Sequence, residues 1–182
     1  VIWPRTLTNW GSTALERAQR FGCDELIENP DEVLFRAVEV RAPVELTFRW
    51  LCQLRAAPYS YDRIDNRGRR SPQTLTPGLD ELVVGQSVQT IFTLAAFEPG
   101  RSLTIHARGT LFGEVSATYR ADPIAGDRSR IVVKLLVGYP NPPIQRSLMR
   151  LLLPPGDLVM MRRQLLNLKA LAERTARASS SA

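Results

Sequence analysis

Asp157-Leu158-Val159-Met160-Met161-Arg162-Arg163-Gln164-Leu165-Leu166-Asn167-Leu168-Lys169-Ala170-Leu171-Ala172 is the stretch on which the fold turns. Its apolar positions Leu158, Met161, Leu165, Leu168 and Ala172 recur every three or four residues, one continuous stripe of an amphipathic helix. The spacing predicts a helix over 157–174, capped by Asp157 after the breaking run Pro154-Pro155-Gly156. A helix of about 18 residues rises roughly 27 Å, enough to cross a sheet whose strands span about 23 Å.

The stretches before it supply that sheet. Residues 91–98 and 101–107 flank Pro99-Gly100 as a hairpin, and 115–121 and 131–139 flank Gly126-Asp127 as another. A weaker strand is expected over 82–90, interrupted by Gly85. Leu103 and Ile105 alternate with Ser102, Thr104 and His106. Val115, Ala117 and Tyr119 alternate with Ser116, Thr118 and Arg120, and Ile131, Val133, Leu135 and Val137 share one face. One apolar and one wet face predict an antiparallel sheet covered on one side only. The architecture expected is α+β: a helix-grip, a curved antiparallel β-sheet wrapped around a long C-terminal α-helix. A concave sheet around a cylinder is hard to fill, so an apolar cavity between them is expected.

Residues 1–32 read as an arm with a short helix, 33–177 as the helix-grip domain and 178–182 as a disordered tail. Thr13-Ala14-Leu15-Glu16 is a capping box whose helix should stop near Phe21, before Gly22, and Trp3 and Trp10 should anchor the arm. A strand over 33–40 leads through Pro43 into a helix over 44–54, and Ser60 precedes a short helix over 61–66.

Composition narrows the chemistry. The chain of 182 residues carries 24 basic and 18 acidic side chains, a net charge of +6, and its basic residues are arginines except Lys134 and Lys169. A single histidine, His106, and two distant cysteines, Cys23 and Cys52, exclude the familiar zinc patterns, so no metal and no cofactor are expected. His106 sits among polar neighbours and should face solvent. There is no nucleophile elbow, no phosphate-binding glycine loop and no recognition element for nucleic acid. The basic C-terminal region reads most simply as a solvated face. No stretch reaches the roughly 18 apolar residues of a membrane span, and Val1-Ile2-Trp3-Pro4-Arg5 does not read as a signal peptide, so free thiols in the cytoplasm are expected.

Several runs carry a family likeness: Asn9-Trp10-Gly11, Arg36-Ala37-Val38 up to Ala42-Pro43, and Trp50-Leu51-Cys52-Gln53-Leu54-Arg55 into Pro58-Tyr59-Ser60-Tyr61-Asp62. Asp65-Asn66-Arg67-Gly68-Arg69-Arg70-Ser71-Pro72, Phe97-Glu98-Pro99-Gly100-Arg101 and the run from Gly156 to Leu166 complete it. Over residues 8–176 the chain resembles the SRPBCC superfamily of START-like, polyketide cyclase/dehydrase-like proteins, in an actinobacterial-type branch. The resemblance implies the helix-grip fold but not one activity, because the superfamily spans carriers, receptors, cyclases and oxygenase subunits. The iron-binding histidine pattern of its oxygenase members is missing here.

The expected partner is a hydrophobic or amphipathic small molecule, such as a lipid, polyketide or isoprenoid. Trp50, Leu103, Ile105, Ala117, Tyr119, Val133, Leu135, Met161 and Leu165 are expected to wall its cavity. Tyr59, Tyr61, Asp62 and Arg70, between the helix pair and the sheet, would meet its polar head. The plainer reading of that loop is that Asp62 and Asp65 pair with Arg67, Arg69 or Arg70, which would keep both carboxylates ionised. No catalytic residue is assigned; a cofactor-independent cyclase, dehydratase or isomerase is the alternative function. No nucleic acid and no integral membrane segment are expected, and a homodimer stays open.

Overall fold

Alternating residues between 32 and 138 pair into one twisted sheet, in a computed structural model that describes residues 3–180. The chain runs α1 (Arg5–Thr8), β1 (Asn9–Trp10), α2 (Ala14–Arg17), a 3₁₀ turn (Gly22–Glu25), β2 (Glu32–Val40), α3 (Val44–Cys52) and a second 3₁₀ turn (Gln53–Arg55). It continues with α4 (Asp62–Asp65), β3 (Ser87–Val88), β4 (Phe92–Glu98), β5 (Ser102–Thr110), β6 (Gly113–Ile124), β7 (Arg128–Gly138) and α5 (Pro143–Ser180). The spatial order is β1-β2-β7-β6-β5-β4-β3. Every pairing is antiparallel except β1 with β2, which is parallel, so the arm adds an edge strand and the sheet is mixed. This is the α+β helix-grip architecture, with α5 and α3 packed against the concave face.

Cross-strand register sorts the side chains. The row Arg36–Val133–Tyr119–Leu103–Phe97 faces the helices, as does Leu34–Leu135–Ala117–Ile105–Leu94. Arg36 is therefore a charge on an apolar face, fully buried, and it meets Asp157 of α5 at 2.6 Å. That contact corrects the reading of Asp157 as a cap. The helix starts at Pro143 and passes through Pro154 and Pro155 without ending. Proline inside a helix costs about 3 kcal/mol. Burial of Met149 and Pro154 on one side, and the Arg36–Asp157 pair on the next turn, offset it. At the other end α5 reaches Ser180, three residues into the stretch read as a tail, while residues 181 and 182 lie outside the described residues.

The second face is not wet throughout. Phe21, Cys23 and Ile27 of the arm lie on Phe35, Ala37, Val132 and Leu136 as a separate buried cluster. The capping box forms as read, but α2 ends at Arg17 rather than near Phe21. Gly22 is a contact residue, not a helix stop: a β-carbon there would meet the Thr104 hydroxyl at 2.5 Å. Gly11, at φ +74°, lets β1 approach so closely that a β-carbon would strike the Ala37 carbonyl oxygen at 2.1 Å. Trp3 donates to the Arg150 carbonyl at 3.3 Å and Trp10 packs against the core, so both arm tryptophans touch the body. The weak strand expected over 82–90 shrinks to the two residues of β3, and α4 to four.

Candidate functional site

The segment from Pro58 to Gln73 folds back along α5, and the space between them is an open cleft of about 590 Å³. Tyr59 enters with φ +56°, a left-handed turn that sends its ring inward, edge-on to Trp50 at 6.2 Å between centroids. α5 fixes that backbone. Asn167 donates to the Tyr59 carbonyl at 2.8 Å, and Gln164 donates to the Pro58 carbonyl at 2.6 Å. The Gln164 side-chain oxygen in turn accepts from the Tyr119 hydroxyl at 2.8 Å, so sheet, helix and loop share one polar chain through the core.

Asp62 closes the loop by accepting from the Ser71 amide at 3.0 Å and the Ser71 hydroxyl at 2.6 Å. Asp65 accepts from the Ser60 hydroxyl. The carboxylates are thus held by serines and not by Arg67, Arg69 or Arg70, which corrects the expected pairing. Burial raises the Asp65 carboxyl above its ordinary value, and the charge of Asp62 adds to it. Burial also pushes the Tyr59 phenol up to about 12, with a further contribution from Asp62. The Tyr59 hydroxyl is buried with no hydrogen-bond partner among the described residues. An orphan of that kind costs about 1–3 kcal/mol and invites an external partner.

The expected site residues divide in two. Tyr59, Tyr61 and Asp62 line the cleft together, with Arg163 6.0 Å above the Tyr61 ring. Arg70 is exposed and is not among the lining side chains. Trp50, Leu103, Ile105, Ala117, Tyr119, Val133, Leu135, Met161 and Leu165 lie in the single buried cluster between sheet and helices. Only Tyr59 and Leu171 belong to both cleft and core. The cleft also takes Arg163, Asn167 and Arg174 from α5, which stripe analysis overlooks because it reads only the apolar positions. Gln164, 3% exposed amid the apolar stripe, was the readable signal of a polar contact there.

His106 lies on the convex face, as its neighbours implied, but it is largely covered there and stands 3.3 Å from Glu114. Burial lowers its pKa, partly opposed by Glu114. Both cysteines are free and buried. Among the described residues no group of three or more His, Cys, Asp or Glu is placed to hold a metal ion, and no helix is long and apolar enough to cross a membrane.

No family model matches this sequence, and no curated protein matches it. Solved structures do align. The chain is similar to the Zhui aromatase/cyclase from Streptomyces sp. R1128, at 18% identity over 81% of this chain and 97% of that one, with a TM-score of 0.49. It is also similar to a protein from Mesorhizobium loti, at 16% identity over 79% and 98% with a TM-score of 0.47. A third is the di-domain ARO/CYC BexL of the BE-7585A biosynthetic pathway, at 12% identity over 78% of this chain and 46% of that one, with a TM-score of 0.49. Likeness at this level says nothing of activity, which has to be argued from this chain's own side chains.

Proposed function

We propose, in line with the START-like resemblance of the sequence, that the protein binds a small amphipathic molecule in the cleft between the Tyr59–Ser71 segment and α5. The observation that carries the reading is the Tyr59 hydroxyl, buried without a partner in a residue that lines that cleft. The apolar part of the ligand would rest on Tyr59, Ile64 and Leu171, where the cleft meets the edge of the core. Its polar head would meet the Tyr59 hydroxyl, with Arg163 and Arg174 favouring an anionic group over a cation. A ligand seated deeper, between sheet and helix on the walls the sequence pointed to, has to part Tyr119 from Gln164. Binding on this proposal takes place in the cytoplasm and needs no cofactor.

The test uses anilinonaphthalene sulfonate, an apolar ring system with an anionic head, read by fluorescence titration and thermal melting. Tyr59→Phe should leave the free protein as stable as before or more so, because an unpaired buried hydroxyl disappears. The same change should weaken probe binding about threefold to tenfold, the worth of one hydrogen bond. Equal affinity for the variant and the parent would refute the assignment. The second reading, a cofactor-independent cyclase, dehydratase or isomerase, is favoured by one observation, the raised pKa of Asp65 beside Asp62. Under it, Asp65→Asn abolishes turnover while leaving probe affinity intact.

A further inference from the structure

Helix α5 is apolar on two sides. Met149, Leu153, Met161, Leu165, Leu168 and Ala172 face the body, while Ile144, Leu148, Leu151, Leu152, Val159 and Leu166 face outward. Ile144 is 85% exposed, and Leu148, Leu151, Leu152 and Val159 are each about half exposed. Their separations of three, four, seven and eight residues place them on one outward strip. The turn between β5 and β6 extends this strip: Gln145 donates to the Leu111 carbonyl at 2.9 Å, holding that turn, with Leu111 64% exposed, beside the start of α5. A helix with apolar residues all round is stable only when its outer face is also covered.

Charge says what covers it. Between residues 143 and 170 the only acidic residue of α5 is Asp157, which is turned inward to Arg36. The other charged side chains there are Arg146, Arg150, Arg162, Arg163 and Lys169. Arg146 and Lys169 are neutralised by Asp31 and Glu173. Arg162 and Arg163 face aromatic rings, those of Trp10 and Tyr61, rather than carboxylates. A two-fold contact with a second copy would set one row of guanidinium groups against another. A surface of lipid phosphates would take the leucines into its acyl boundary and the arginines at its headgroups.

We propose that the outward strip of α5, with the β5–β6 turn, docks the protein onto an anionic lipid membrane, lying on the surface without crossing it. Arg163 belongs both to the border of this strip and to the cleft, so docking would hold the cleft mouth close to the lipid. The docking itself does not depend on what the cleft binds.

Sedimentation of the full chain with vesicles tests it, comparing phosphatidylglycerol mixed with phosphatidylcholine against phosphatidylcholine alone. The parent should pellet with the anionic vesicles and be released by high salt. Leu148→Glu with Leu151→Glu, and separately Arg150→Glu with Arg162→Glu, should each weaken binding by about tenfold or more at unchanged melting temperature. Val83→Glu, at an exposed apolar residue elsewhere, should bind as the parent does. Because two different pairs are exchanged, misfolding of one leaves the other to decide. The proposal is overturned if the parent stays in the supernatant with anionic vesicles at low salt, or if the arginine variant pellets unchanged. Sedimentation velocity showing a dimer that Leu148→Glu with Leu151→Glu dissociates would overturn it too, handing the strip to a second copy.

Discussion

The two faces of the sheet are built from the same strands yet closed in different ways. On the concave face one continuous apolar cluster joins β2, the four long strands that follow and two helices, and its one charged contact, Arg36 with Asp157, is sealed from water. On the convex face the row Phe35–Lys134–Thr118–Thr104 is half polar. Its cover is a short piece of the arm rather than a helix. The Cys23 amide donates to the Thr118 hydroxyl at 2.9 Å, Lys134 pairs with Asp24 at 2.5 Å, and Arg120 lies 4.5 Å from the Phe21 ring centre. Each of these contacts is worth little by itself, because it exchanges hydrogen bonds and charge interactions already available in water. The concave face should therefore carry global stability, and the convex cover should open locally.

The largest effect expected from breaking this contrast is at Arg36. Arg36→Met leaves the Asp157 carboxylate buried without its cation and should cost about 3–5 kcal/mol in urea unfolding. Adding Asp157→Leu should restore most of it, since an apolar pair of similar volume removes the desolvation cost. If the double variant is no better than the single one, the pair is not the isolated unit its burial implies. On the convex side Gly22→Ala drives a methyl group into the Thr104 hydroxyl. It should cost about 1–3 kcal/mol, with partial recovery in a Thr104→Ala background, measured as a double-mutant cycle. The smallest effect is kinetic. In the native protein Cys23, under the arm, should react with a thiol reagent about tenfold faster than Cys52, inside the main core. Burial raises the pKa of both thiols, so access and not thiolate content sets the order. Faster labelling of Cys52 would reverse the ranking of the two faces.

The sequence also shows why the cleft was only half legible. Tyr59, Tyr61 and Asp62 stand out because a phenol and carboxylate cluster in a loop has no packing purpose visible from periodicity. Arg163, Asn167 and Arg174 lie more than 90 residues further on, and only the docking of α5 brings them opposite. Arg70 looked equivalent to its neighbours, yet the Asp62–Ser71 bonds close the loop with Arg70 left in solvent.

Alternation and helical spacing by themselves determined the strands, the face each side chain of β5, β6 and β7 occupies, and the long terminal helix laid across them. These are local signals, set by the repeat of 2.0 or 3.6 residues and the cost of wetting an apolar stripe. Tertiary structure alone decided that the helix runs through Pro154 and Pro155, that a strip of leucines stays outside it, and that the arm covers the second face. Each outcome rests on partners distant in the chain, such as Arg36 with Asp157, 121 residues apart, or Cys23 with Thr118, 95 apart. No repeat within a short window encodes such a meeting, because its free energy exists only once both segments have been brought to the same place.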